Sequence, residues 1–192
     1  TSDRNVYKCL DNDGNTASTV EPTGTSTSVI TTGDGYKWKY MYTLSAAQQS
    51  NFLSTDFMAV ATNSTVSSAA TDGGIDIVKI KTAGSSYTVS GGGTSGTITN
   101  VPIRGDGSSA VCSVTLTSGA ITAVTITTNG SGYTSGYIRN ADIIGATGAG
   151  GAGSGAELDV IIPPKGGHGF NAVEELGGFF VMLNTTLEGT ES

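Results

Sequence analysis

A stretch of fourteen residues in this chain is written twice. Ile75 to Thr88 reads IDIVKIKTAGSSYT, and 46 positions later Ile121 to Thr134 reads ITAVTITTNGSGYT. Ile75/Ile121, Val78/Val124, Ile80/Ile126, Thr82/Thr128, Gly84/Gly130, Ser85/Ser131, Tyr87/Tyr133 and Thr88/Thr134 coincide. The same offset returns later, where Gly105, Gly107, Ser108, Ala110 and Val114 match Gly151, Gly153, Ser154, Ala156 and Val160. Such a repeat constrains the fold more than any composition does. A unit this short cannot bury its own apolar face, so two copies are expected to pack together.

Each copy opens on β-branched residues at period two, which is the pattern of a strand. A Gly-Ser turn ending in tyrosine follows, glycine supplying the backbone freedom such a turn needs. A second strand is expected at Ile98–Ile103 (ITNVPI) and, after a six-residue slip, at Ile138–Ile143 (IRNADI). A Gly/Ala/Ser run then leads to a last strand, Ala110–Leu116 in one copy and Ala156–Ile162 in the other. Copies spanning 75–114 and 121–160 therefore read as two similar three-stranded units within an inserted domain, residues 71–160.

Outside the repeat the character changes. Val6–Leu10 reads as a compact strand, and Gly33-Asp-Gly35 opens an alternating run that places Tyr36, Trp38 and Tyr40 on one side and Lys37, Lys39 and Met41 on the other. Ser45-Ala-Ala-Gln48 is a capping box ahead of a short helix to about Leu53, because the serine oxygen and glutamine side chain satisfy each other's amides. Asp56–Ala61 reads as strand, Pro163-Pro164 closes the second copy, and Gly166-Gly-His-Gly169 reads as a flexible link. Asn171 with Glu174 caps a second helix, and Gly177-Gly178 releases the chain into a strand, Phe179–Leu183. The expected fold is all-β: a β-sandwich-like framework from residues 1–70 and 161–192, two short helices, and the duplicated insertion.

With 29 glycines, 13% charged and 7% aromatic residues in 192, the composition suits short strands and many turns. By size scaling a chain of this length buries roughly 70% of its unfolded surface. A net charge of −7 argues against nucleic acid and against an anionic membrane. No apolar run approaches membrane-spanning length. The first residues hold no signal-peptide core and do not begin with Met, so the chain reads as a fragment or processed product. Cys9 and Cys112 are too few for a disulfide framework, and two buried free thiols are the favoured reading over a pair.

At the flanks the chain acquires a resemblance. Val6-Tyr-Lys-Cys-Leu-Asp11, Ser18-Thr-Val-Glu-Pro22, Gly33-Asp-Gly-Tyr-Lys-Trp-Lys-Tyr40 and Asp56-Phe-Met-Ala-Val60, in that order and spacing, resemble the baseplate wedge proteins of contractile-tailed bacteriophages, the gene 8 product family of T4-type phages. Lys165-Gly-Gly-His-Gly-Phe-Asn-Ala-Val-Glu-Glu-Leu-Gly-Gly-Phe-Phe-Val-Met-Leu-Asn184 is similar to the cyanophage members. The resemblance covers roughly residues 1–60 and 161–192, in a family whose proteins are considerably longer, and it stops at the repeat. It implies an internal portion of a virion protein, assembled in the host cytoplasm. It further implies a homodimer with neighbouring wedge proteins as partners, no cofactor, and no enzymatic activity.

Candidate chemistry is sparse. Asp11-Asn-Asp-Gly-Asn15 has the oxygen density of a calcium loop, but its glycine is misplaced and Pro22 stands where a bidentate Glu belongs, so a solvated turn is expected. Gly148–Gly153 satisfies GxGxxG but leads into a strand, without the helix N-terminus that would hold a pyrophosphate. His168 is the sole histidine, with no nucleophile signature and no second imidazole for a metal. Asp72, Asp76, Asp106, Asp142, Glu157 and Asp159 are the acids that a glycoside-cleaving pair would draw on, with solvated turn and strand-edge roles as the plain reading. Arg104-Gly-Asp106 forms an integrin-type tripeptide that the second copy lacks. Tyr36, Trp38 and Tyr40 read as a packed row. Tyr87 and Tyr133, at repeated turn tips, are the candidate contact residues. They support an alternative function, a β-repeat binding module for host-surface glycans or a tail fibre.

Overall fold

The computed structural model describes residues 1–189. It is β-rich with four short helices. In chain order the elements are β1 (Asn5–Asp11), β2 (Ile30–Thr31), β3 (Lys37–Thr43), α1 (Ala46–Phe52), α2 (Ser64–Ala69), β4 (Ile77–Ser85), β5 (Gly96–Pro102) and β6 (Arg104–Gly105). They continue with β7 (Val111–Thr117), β8 (Ala120–Thr128), β9 (Gly136–Tyr137), α3 (Asn140–Ile144), β10 (Ser154–Ile161) and α4 (Ala172–Glu175). The chain forms two compact units: Thr1–Ala69 together with the chain from Gly169 onward, and Ala70–His168.

The first unit is built on a three-stranded sheet in the order β1-β3-β2, both pairings antiparallel. β3 is covered on both faces, not one. Tyr40, Met41 and Tyr42 are buried in succession, and so is Lys39, whose Nζ donates to the carbonyl of Thr27 at 2.6 Å. An amino group that deep needs such an acceptor, since an unmatched buried charge is costly. Val6, Met41, Tyr42, Leu44 and Ala172 form the core, with Ala59, Val60, Ala61 and Leu176 against it. α1 starts where the capping box predicts: Ser45 Oγ accepts from the Gln48 amide at 3.1 Å and Gln48 Oε1 from the Ser45 amide at 2.9 Å. Asn171 caps α4 by accepting from the Glu174 amide. α2 is additional, its N-terminal amides at Thr65 and Val66 held by the Asn63 side chain.

Residues 56–61 and 179–183 are not strands. Both have strand-like composition. A strand, however, exists only against an edge, and neither segment finds one among the described residues.

The second unit places the repeat in an arrangement that the sequence alone does not show. The copies are not two separate three-stranded units: the first strand of each copy pairs with the last strand of the other. β4 pairs antiparallel with β10, and β8 with β7. The registers are the same when shifted by 46 residues, Val78 opposite Val160 and Val124 opposite Val114. Even the irregularity is shared. A register shift falls between Glu157 and Leu158 in one pair and between Val111 and Cys112 in the other, at equivalent positions. β4 and β8, mates under this pseudo-twofold relation, pack on each other. One core serves both copies, with Ile75, Val78, Ile98, Val114, Ile121, Val124 and Val160 among its buried members.

The symmetry breaks at the second predicted strand. Ile98–Ile103 yields β5 and joins β7, whereas residues 140–144, overlapping the corresponding IRNADI and running one residue past it, form the helix α3. Pro102, at the position equivalent to Asp142, has no amide to make the bond that Asp142 donates to the Arg139 carbonyl at 3.0 Å at the start of α3. Arg139 then pins the first turn of α3 through Nε to Asp142 Oδ2 at 2.8 Å.

Residues 161–168 belong with this second unit, although their proline and glycines read as framework. Ile161 pairs with Ile77, Ile162 packs on the repeat core, and the Gly166 amide donates to Asp72 Oδ1 at 2.6 Å. His168 is buried here, and Gly166, Gly167 and Gly169 adopt positive φ, so the segment is a set of defined turns and not a loose link.

Candidate interaction surface

Tyr87 and Tyr133 are not at exposed tips. They are 0% and 3% exposed and form keystones between the copies. The Tyr87 hydroxyl accepts from the Ala156 amide at 3.3 Å and donates to Asn140 Oδ1 at 2.6 Å. The Tyr133 hydroxyl accepts from the Ala110 amide at 3.3 Å and donates to the Ile103 carbonyl at 2.9 Å. Their own amides donate to the equivalent carbonyls of Gly119 and Gly73. Burial raises the phenol pKa of Tyr87. With faces and hydroxyls occupied internally, neither ring is available to stack on a sugar, and the role of contact residue is withdrawn from both.

The remaining candidates are likewise engaged. Asp142 is buried between Arg104 and Arg139, whose guanidinium groups hold its carboxyl well below the usual range. Asp106 of the Arg-Gly-Asp tripeptide accepts from the Thr134 hydroxyl and from the Ser135 and Thr134 amides, which also lower its pKa. Glu157 pairs with Lys81 at 3.1 Å, and Asp76 takes the Asn129 side chain. Asp72, Asp76, Asp106, Asp142 and Glu157 thus serve separate structural contacts. Asp11–Asn15 is a turn in which Asn12 bonds Asn15 and Asp11 lies 3.9 Å from Lys37. Among the described residues no group of three His, Cys, Asp or Glu is placed to hold a metal ion. Tyr36 and Trp38 stack at 5.4 Å, the Tyr36 hydroxyl donating to Thr16 and the Trp38 indole to Thr32, and Tyr40 is buried edge-on to Tyr7. Cys9 is exposed and Cys112 buried, so the expectation of two buried thiols holds for Cys112 alone.

The first unit also exposes an apolar segment. Phe179, Phe180, Val181, Leu183 and Leu187 are 76–91% exposed. From Leu176 to Leu187 the sequence carries no charge. Phe180 and Met182 line a groove of about 510 Å³ with Phe52, Phe57, Met58 and Val60. Asn184 fastens the far end by donating to the Asn51 carbonyl at 2.9 Å. A second hollow, about 350 Å³, lies between Arg4, Tyr7, Trp38, Leu53 and Met58 of the same unit. Contiguous apolar exposure of this kind is characteristic of surfaces that bind other proteins. The signal was legible in the sequence as FFVML, where strand-like composition marked a segment needing a partner.

No family model, curated protein or solved structure matches this chain. No helix of the described residues is long and apolar enough to cross a membrane.

Proposed function

We propose that the chain is a structural component of a contractile phage tail baseplate wedge, holding neighbouring subunits together and rearranging with them during contraction. The observation that carries this reading is the uncharged, exposed segment from Phe179 to Leu187, set beside Phe57 and Met58. It falls in and directly after the stretch, Lys165–Asn184, on which the wedge-family resemblance rests. In this reading the sheet of the first unit is one layer of a sandwich-like framework, the duplicated unit is its insertion, and the partners are neighbouring wedge proteins and a second protomer. No step requires a cofactor or a catalytic group.

The test is a reconstitution of the wedge from its purified subunits with the wild-type chain and with F179S/F180S. Incorporation of the wild type, with loss of at least tenfold in the variant at unchanged melting temperature, supports the reading. Failure of the wild-type chain to enter any wedge complex removes it. The alternative, a β-repeat module binding host-surface glycans or a tail fibre, has lost Tyr87 and Tyr133 as its contacts, and a flat response on a glycan array would remove its glycan form.

A further inference from the structure

The interface between the repeat copies is reciprocal. Each copy supplies a first strand that only the other copy completes: β4 is completed by β10 and β8 by β7. Each also supplies a tyrosine that bonds the other copy's alanine amide, Tyr87 to Ala156 and Tyr133 to Ala110. Neither copy can close its sheet or seat its tyrosine alone. What joins the copies is a turn of two residues, Ser118 and Gly119, between β7 and β8. Both have positive φ, 51° and 78°, and for Ser118 this is a sparsely populated conformation for a residue with a Cβ. Two-residue hairpin loops are close to the shortest that permit antiparallel strands. Opened, the turn would leave β7 and β8 as one continuous run, and β8 would then need the β7 of a different molecule.

We propose that the copy–copy interface accommodates a second copy of this chain: with the Ser118–Gly119 turn extended, the chain up to Ser118 of one molecule pairs with the chain from Gly119 of another, and reciprocally. Every β4–β10 and β7–β8 pairing is then remade between molecules. The residues after His168 travel with the exchanged half, so α4 seats in the first unit of the partner. Exchange of identical elements is a low-cost route to a dimer, because both states hold the same contacts apart from the hinge, where the bonds from the Tyr87 amide to Gly119, from the Gly119 amide to Thr94 and from the Ser118 amide to Ser95 must be given up or remade. Ser118 is the one strained point of an otherwise favourable hairpin turn, and release of that strain lowers the cost of the open hinge.

The experiment uses the full chain with Cys9→Ser. Ser113 on β7 lies opposite Thr125 on β8, both away from the core. S113C and T125C are made in separate molecules, unfolded together, refolded at high protein concentration and treated with a short bis-maleimide. Exchange gives a 113–125 cross-link between the two differently labelled chains, in a species of twice the monomer mass, and none when either variant is refolded alone. A second variant, S118V/G119V, places two β-branched residues where positive φ is required and raises the dimer fraction at least tenfold. Absence of the mixed cross-link from the refolded wild-type-hinge sample overturns the proposal, whether or not the hinge variant folds. A folded hinge variant with an unchanged dimer fraction overturns it equally.

Discussion

The hydroxyl of Tyr87 accepts a hydrogen bond from the amide of Ala156, in the opposite copy of the repeat, at 3.3 Å. Shifted by 46 residues, the same bond joins Tyr133 to Ala110 at the same length. The two tyrosines therefore tie each copy's turn to the other copy's last strand. The sequence repeat is preserved where this mutual dependence is strongest.

Replacing either tyrosine by phenylalanine should be costly without changing shape. Y133F leaves the Ala110 amide and the Ile103 carbonyl buried without the hydroxyl, and an unmatched buried polar group costs about 1–3 kcal/mol. Y87F takes the hydroxyl from the Ala156 amide, which is only part-buried, so its cost should fall at the low end of that range. Urea unfolding should show a lower midpoint for both, with unchanged slope. A variant as stable as wild type would mean that the hydroxyls are not what couples the copies.

The glycines facing these rings make a sharper case. A Cβ at Gly107 would lie 2.4 Å from the Tyr133 ring, and one at Gly153 would lie 2.2 Å from the Tyr87 ring. Neither contact is sterically possible, so G107A and G153A must displace a buried aromatic, at about 1–3 kcal/mol of overpacking. Gly132 provides the control. Its φ is 74° but no atom lies within 4 Å of the added carbon, so G132A should carry only the backbone penalty of about 1 kcal/mol. Thermal melts of the three variants should rank G132A as the mildest, and any other order would show that ring contact is not the reason for glycine at 107 and 153.

Much of this was readable from residues, and the remainder was not for identifiable reasons. The β-branched runs gave β4, β7, β8 and β10, and the Ser45–Gln48 box gave α1, because each signal is local. A repeat records that two segments resemble each other but not which pairs with which, so the reciprocal pairing was invisible. α3 depends on Asp142 meeting Arg104, 38 residues away, and on the absence of a proline equivalent to Pro102. Tyr87 and Tyr133 looked exposed because they follow Gly-Ser turns. The glycines at 107 and 153, matched across the copies, were the available sign that a ring had to fit against the backbone.

The two thiols should differ sharply in reactivity. Burial pushes the Cys112 thiol up to about 12, leaving it protonated at neutral pH, whereas Cys9 is exposed. Since the thiolate is the reacting species, an Ellman titration should count one rapidly reacting thiol in the native protein and two in denaturant. Two rapid thiols in the native state would place Cys112 outside the core.

Stability toward acid should depend on Asp142. Hydrogen bonds from Arg139 and then Arg104, with the charges they carry, lower its folded pKa against a smaller opposing effect of burial. The folded state therefore binds the proton more weakly than the unfolded chain, whose aspartates titrate near 4. The contribution is fully present above that pH and is lost as pH falls through it toward the lower folded value. Asp142→Asn removes the charge-assisted bonds from a buried position and should destabilise at neutral pH by about 1–3 kcal/mol, reduced from a fully buried pair because both guanidinium groups are half exposed. The difference between wild type and D142N should shrink between pH 5 and pH 3. A difference constant across that range would mean that the pair acts through packing and not through charge.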